Sequence, residues 1–216
     1  MCGILGVVGP DSGAFAVNDA LGAISHRGPN DSGLEHFEGA VLGNTRLSIL
    51  DLTSAGHQPM TLPDAGLCLV HNGEVYNYLE LKRKFQGVPF RSCTDTEVIL
   101  HAFAREGVEC LHSLNGMFSF AVWDDRRKRL FAARDRLGIK PFYYAMHNGH
   151  LMFSSEVKAL LALGHPRTPN DQVIWDYLVE GCYDHLDETF FKGIKKLPAG
   201  HYLEYDQAGR LSINRY

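Results

Sequence analysis

The sequence predicts a layered α+β domain. Three observations carry that prediction: many short apolar runs of strand length, a clear hairpin signal among the later ones, and helical stretches gathered in separate blocks. Regular βαβ alternation would instead interleave the two. With 216 residues, the chain is long enough for one sizeable core or two small domains. Hydrophobic residues at 45% and charged residues at 21% are those of an ordinary soluble globular protein. No internal repeat, low-complexity tract or linker interrupts it.

Taken in order, Ile4–Val8 is a β-branched, apolar run closed by Gly9-Pro10 and reads as a buried strand. Asp11 or Ser12 is placed to cap a helix reaching about His26, with Phe15, Val17, Leu21 and Ile24 on one face. The polar, glycine-rich run His26-Arg27-Gly28-Pro29-Asn30-Asp31-Ser32-Gly33 is too long and charged for a mere turn. Strands are expected over Gly33–Phe37 and Ala40–Leu50, and a loop over Gly56–Pro63. Leu67–His71 is a compact strand that would leave Asn72-Gly73 at its exposed end, with a helix over Val75–Phe85. Thr94 and Glu97 have capping-box spacing, so Asp95 falls in a helix's first turn, near its positive end. Strands follow at Met117–Trp123, Leu130–Asp135, Phe142–His147 and Leu151–Ser154, the last two joined by the hairpin pair Asn148-Gly149. Helices are expected over Ser155–Leu163 and Asp171–Glu180, then strands over His201–Asp206 and Leu211–Tyr216.

The net charge of −4 gives no reason to expect nucleic acid or a membrane as partner. Five cysteines, at 2, 68, 93, 110 and 182, are scattered and form no CxxC pair. That pattern argues for a reducing compartment and against a disulfide framework or a zinc site. The first apolar run is too short for a signal peptide or a membrane span, which makes the cytoplasm the expected location.

Cys2 stands directly behind Met1. Clipping of Met1 would place a thiol beside a free α-amine, whose ordinary pKa of about 7.7–8.0 lets it take the thiol proton and return it later. Nucleophile and base would then share one residue. The polar residues that sit oddly in or beside apolar strands are Arg46, Asn72, Gly73, Glu74 and Asp95. A guanidinium suits a substrate carboxylate, and a carboxylate suits an ammonium. The Asn72 amide and the Gly73 N–H are candidate oxyanion donors for acyl transfer. Each residue alone has a plainer reading: Cys2 as a buried structural thiol, Asn-Gly as a turn, Asp95 as a helix-start charge, Arg46 as half of a surface ion pair.

The ordered segments Met1-Cys2-Gly3-Ile4, His26-Arg27-Gly28-Pro29, Arg46-Leu47-Ser48-Ile49-Leu50-Asp51-Leu52, Asn72-Gly73-Glu74-Val75-Tyr76-Asn77 and Thr94-Asp95-Thr96-Glu97 carry a family resemblance. It continues through Asn115-Gly116-Met117-Phe118, Arg134-Asp135-Arg136-Leu137-Gly138-Ile139-Lys140-Pro141, Phe153-Ser154-Ser155-Glu156 and Leu197-Pro198-Ala199-Gly200. Across residues 1–216 the chain resembles the glutaminase domain of class II glutamine amidotransferases, of the Ntn-hydrolase type. His-Arg-Gly-Pro and Gly-Ile-Lys-Pro point to the branch found in glutamine-dependent asparagine synthetases. The resemblance implies a four-layer αββα sandwich and hydrolysis of L-glutamine to glutamate and ammonia through a thioester at Cys2. It implies Asn72 and Gly73 as the oxyanion hole, and Arg46, the backbone of Ile49 and Leu50, Glu74 and Asp95 as the glutamine site.

Asn30 departs from the family's usual aspartate. The synthetase phosphate loop, Ser-Gly-Gly-x-Asp-Ser, is absent, and no GxxxxGK loop replaces it. ATP and Mg²⁺ are therefore expected only in a separate synthetase domain, in cis or in trans, with no cofactor and no metal in this one. The chain is expected to be an isolated glutaminase domain, truncated or one half of a split enzyme, with a homodimer possible. The rival expectations are a catalytically idle docking domain, and a glutaminase serving a different ammonia acceptor.

Overall fold

Side-chain alternation sorts the chain into layers. In β1 (Gly3–Val8), Ile4 and Val8 face one way and Leu5 and Val7 the other, and all four are buried. A strand apolar on both sides needs cover on both sides. The computed structural model, which describes residues 1–216, supplies it.

β1 is central in a six-stranded antiparallel sheet ordered β10-β8-β9-β1-β3-β2. Its other members are β2 (Asp31–Phe37), β3 (Ala40–Arg46), β8 (Tyr143–His147), β9 (His150–Ser154) and β10 (Ile194–Lys196). The second sheet runs β12-β11-β7-β6-β5-β4, from β4 (Met60–Leu62), β5 (Leu67–Val75), β6 (Gly116–Asp124), β7 (Arg129–Arg134), β11 (His201–Asp206) and β12 (Leu211–Arg215). Between the sheets lies one core, to which Ile4, Leu42, Val70, Trp123, Leu130 and Phe153 belong. Outside the first sheet, α1 (Val17–Ala23) and α5 (Val157–Ala162) pack on Leu5, Val7, Val41 and Met152. Outside the second, α2 (Tyr78–Lys84), α3 (Asp95–Glu106) and the short α4 (Cys110–Ser113) cover Leu69, Phe118, Phe120 and Val122. The order is helix, sheet, sheet, helix: the four-layer αββα sandwich. The remaining helix, α6 (Asp171–Trp175), continues as a π-helical stretch over Asp176–Glu180. No helix is long and apolar enough to cross a membrane.

Several expectations need correction. The helix expected from Asp11 or Ser12 to His26 is three pieces, a 3-10 turn at Ser12–Ala14, α1, and a second 3-10 turn at Ser25–Arg27. Phe15 is extended and Asp11 left-handed, so neither Asp11 nor Ser12 caps α1. The strand expected to Leu50 ends at Arg46, and the 56–63 segment contains β4. β5 does not stop at His71. It runs to Val75, with Asn72 paired to Ser119 and Gly73 to Phe118, and the following helix begins only at Tyr78. Asn72 is therefore an interior strand residue, fully buried, and not an exposed strand end. The other expected strands end within two residues of the observed bounds.

The same parity locates the chemistry. Cys2 lies two residues before Ile4, Asn44 two beyond Leu42, and Asn72 two beyond Val70, all on inward-facing rows. At one end of the sandwich the inter-sheet layer thus turns from apolar to polar.

Candidate active site

Cys2 is held by backbone. Its Sγ receives the Leu47 N–H at 3.4 Å and lies 3.8 Å from the Leu47 carbonyl, and its own carbonyl accepts from Arg27 Nε at 2.9 Å. The His26–Asn30 loop explains itself here. Gly28 lies so close to β3 that a Cβ would come within 2.3 Å of Thr45 and Arg46 backbone atoms, which only glycine permits. Asn30 N–H then donates to the Arg46 carbonyl, and Asn30 Oδ1 accepts from Ser48 N–H at 3.0 Å. An aspartate would accept that bond equally well, so the family departure at this position is conservative.

Around the sulfur is a small cleft with about 30 Å³ of free volume. Its lining includes Cys2, Arg46, Ile49, Leu50, Gly73, Glu74 and Asp95. Seven of the eight residues singled out from the sequence therefore share one cavity. The eighth, Asn72, lies outside its lining, with both ends of its buried amide unpartnered. A buried unpaired polar group costs about 1–3 kcal/mol, so an amide left this way calls for a missing partner. Larger hollows lie elsewhere, one of about 620 Å³ between the Val8–Asp11 and Tyr205–Gly209 turns, whose lining holds no cysteine.

Arg46 is buried, and its fork is already occupied. Nη1 donates to the Thr53 carbonyl at 3.2 Å, while Nη2 donates to Leu50 at 3.0 Å and Asp51 at 2.5 Å. The guanidinium thus pins the segment that follows β3, and Gly56 leaves it room: a Cβ there would fall 2.0 Å from Nη2. A substrate carboxylate would have to share or replace these bonds. Asp95 is 4% exposed, and its Oδ2 accepts from Val75 N–H at 2.7 Å, which ties the start of α3 to the end of β5. Thr94 caps α3 through Glu97 N–H at 3.3 Å. Only half of the capping box forms, because the Glu97 carboxylate turns to Arg91 N–H, Ser92 N–H and the Ser92 hydroxyl.

Burial dominates the ionisation of the site. It pushes the Cys2 thiol up, against the opposing pull of the Leu47 N–H and nearby positive charge. Burial, with Asp95 beside it, raises Glu74 to about 7, and burial raises Asp95 to about 6 against its backbone hydrogen bonds. Two carboxyls held near neutrality in one cleft suit a cation. Of the other cysteines, Cys68 and Cys110 are buried thiols pushed far up, Cys110 to about 12, and are inert by comparison.

Sequence reasoning missed Leu47, Gly56, Gln58, His71, Thr94 and Thr96 in the lining. Gln58 Oε1 accepts from His71 N–H and Asn44 Nδ2, and His71 Nδ1 faces Thr96 Oγ1, so these residues brace β3, β5 and α3 at the cleft floor. Nothing in their spacing signals this. No group of three His, Cys, Asp or Glu side chains is arranged to hold a metal ion.

A four-layer sandwich whose central strand begins just after a cysteine, beside a cleft with carboxylates and a guanidinium, has the layered fold of the Ntn-hydrolase type. More narrowly, the chain belongs to the glutamine amidotransferase domain family, whose model matches residues 1–216. It is 41% identical to a putative glutamine-hydrolysing asparagine synthetase 2 of Methanocaldococcus jannaschii, over 76% of this chain and 35% of that protein. It is 38% identical to glutamine-hydrolysing asparagine synthetase 2 of Bacillus subtilis, over 94% and 29%. The amidase chry2 of Gibberella zeae is 37% identical over 85% and 27%. The chain thus spans about a third of the length of these curated relatives. Among solved structures, glutamine phosphoribosylpyrophosphate amidotransferase from B. subtilis shares the fold, with a TM-score of 0.74 at 19% identity over 99% of this chain and 49% of that one.

Proposed function

We propose that this domain hydrolyses L-glutamine to glutamate and ammonia at Cys2 and supplies the ammonia to an ATP-dependent amidation of the asparagine synthetase type. One observation carries the reading: a single cleft joins the Cys2 thiol to Arg46, Gly73, Glu74 and Asp95. Met1 is 58% exposed and lies outside β1, so its removal sacrifices little packing and frees the Cys2 amine. The amine takes the thiol proton, and sulfur attacks the side-chain amide carbon of glutamine. The carbonyl electrons move onto oxygen, where the Asn72 amide and the Gly73 N–H receive the negative charge; this gives the orphaned Asn72 donor its partner. The amine returns the proton to the departing nitrogen, ammonia leaves, and water then cleaves the thioester to glutamate. Arg46 grips the α-carboxylate, alongside the Ile49–Leu50 backbone, and Glu74 with Asp95 receives the α-ammonium.

ATP and Mg²⁺ belong to the partner synthetase domain in this reading, and the likeness to relatives with differing names makes the acceptor the point on which members would diverge. The test is glutamate release from glutamine by Met1-free protein, with Cys2→Ala as control. Hydrolysis should vanish in the variant; measurable turnover there removes Cys2 from the chemistry.

A further inference from the structure

Alternate residues of an antiparallel strand turn their N–H groups to opposite sides. Along β5 the even-numbered residues face β6. Tyr76, just past the strand, donates to the Asn115 carbonyl at 2.8 Å, while Phe118, opposite Gly73, turns its own N–H and carbonyl to Asp135. Leu69, His71, Gly73 and Val75 therefore face away from β6. Leu69 is covered by Met60, where β4 begins, and β4 reaches no further along β5. Past that point no strand is left to receive the amides of His71, Gly73 and Val75.

Side chains take over there. The β4–β5 register, carried on, would set residue 58 opposite His71. Gln58 meets His71 with its side chain, Oε1 accepting the His71 N–H at 2.7 Å. Asp95 Oδ2 does the same for the Val75 N–H at 2.7 Å. Gly73 lies between these two anchored residues, half-buried, with its N–H on the same edge. That edge is a wall of the cleft, since Gln58, Gly73, Asp95 and Thr96 all line it. The Gln58 amide is 4% exposed and held from two further sides: Oε1 also accepts from Asn44 Nδ2 at 3.3 Å, in the facing sheet, and Nε2 donates to Thr96 Oγ1 at 3.5 Å, on α3. Thr96 Oγ1 lies 3.1 Å from His71 Nδ1, and the His71 ring covers the bare face of Gly73, its Nε2 2.9 Å from where a Cβ would stand. A shift at Gln58 thus reaches Gly73 through backbone and ring alike.

We propose that Gln58 is a positioning residue for the oxyanion donor, its side chain standing in for the strand that β5 lacks there and holding the Gly73 N–H toward the cleft. This rests on the glutaminase reading, in which that N–H receives charge only as the amide carbon turns tetrahedral. Both polar ends of Gln58 are spent on the protein, so it acts through Gly73. Its loss should weaken the transition state and leave the grip of Arg46 and Asp95 on glutamine largely as it is.

The split between kcat and KM reads this in Met1-free protein. Gln58→Leu should lower kcat about 100-fold, the scale of a misplaced reacting group, with the KM for glutamine within about threefold of wild type. Alkylation of Cys2 by iodoacetamide, followed by peptide mass, builds no oxyanion and should keep its rate within about twofold. Gln58→Glu restores an acceptor for the His71 N–H and should recover kcat to within about tenfold of wild type. An unchanged kcat in Gln58→Leu overturns the proposal, as does a parallel fall of hydrolysis and alkylation, which would make Gln58 merely structural. Hydrogen exchange in the wild-type protein decides the matter if Gln58→Leu does not fold. Corrected for intrinsic rates, the Gly73 N–H should exchange about tenfold faster than those of His71 and Val75, and equal protection of all three overturns the proposal. Failure of the wild-type protein to release glutamate would instead strike the glutaminase reading and leave the exchange result standing.

Discussion

Two segments of this molecule use the same parts for different ends. After β3, Arg46 bonds three carbonyls and Asp51 accepts from Thr53 and, across the chain, from Cys93 N–H; after β7, Arg134 bonds three carbonyls and Asp135 accepts from four amides. The reach differs. Arg46 ties only Leu50, Asp51 and Thr53, all within seven residues, whereas Arg134 crosses to Leu197 and Asp135 crosses to β6 at Phe118. Local ties can be exchanged for a ligand without disturbing the sheets. Long-range ties cannot. The free volume of about 30 Å³ beside Cys2 is small, so a ligand the size of an amino acid would press on the Arg46-tied wall. The Asp135 turn, by contrast, is a fixed bracket.

That contrast can be broken in four places. The largest effect should come from Asp135→Ala, which strands four amides and should cost on the order of 4 kcal/mol in urea unfolding. Loss of less than about 1 kcal/mol would mean the bracket is redundant. Next, Arg46→Ala should raise the KM for glutamine by about 100-fold, the worth of two charge-assisted bonds, while stability falls by only about 1 kcal/mol. A collapse in stability with KM unchanged would reverse the roles assigned to the two arginines.

The third is pH. Glu74 and Asp95 have folded pKa values raised to about 7 and about 6, so below those values the free cleft is protonated and loses its attraction for an ammonium. The Kd for glutamine measured by calorimetry should weaken as pH falls from 7 toward 5, with proton release on binding. The linkage to stability has the opposite sense. Because the folded state holds these protons more tightly than the unfolded state, whose values are 4.5 and 3.8, their contribution declines as pH rises from about 4 to 7. The smallest effect is that of Gly56→Ala. Its methyl displaces the flexible end of Arg46 and not backbone, so a few-fold rise in KM with little change in melting temperature is expected.

Much of this architecture is legible in the residue pattern. The double-sided apolar run of β1 announces a strand covered on both faces, and Asn148-Gly149 marks the β8–β9 hairpin correctly. The main misreading, at Asn72-Gly73-Glu74, has a physical cause: polar residues in a strand resemble its end unless the layer they enter is itself polar there. Ile194–Lys196 and Cys110–Ser113 are too short to show a period. In the cleft, the side chains with obvious chemistry were readable, but Leu47 acts through backbone and Gln58 through a contact across two strands.

The arrangement at the start of β1 bears on when Met1 could be removed, should the proposed reading hold. Since Met1 projects from the finished sandwich while Gly3 is already paired to Thr45 of β3, removal of Met1 after folding would break no strand pairing. In the proposed reading, maturation at Cys2 would then be a trimming of an assembled object. Any fusion or affinity tag placed ahead of Met1 should yield a well-folded protein that remains silent until it is cut back to the sulfur-bearing residue.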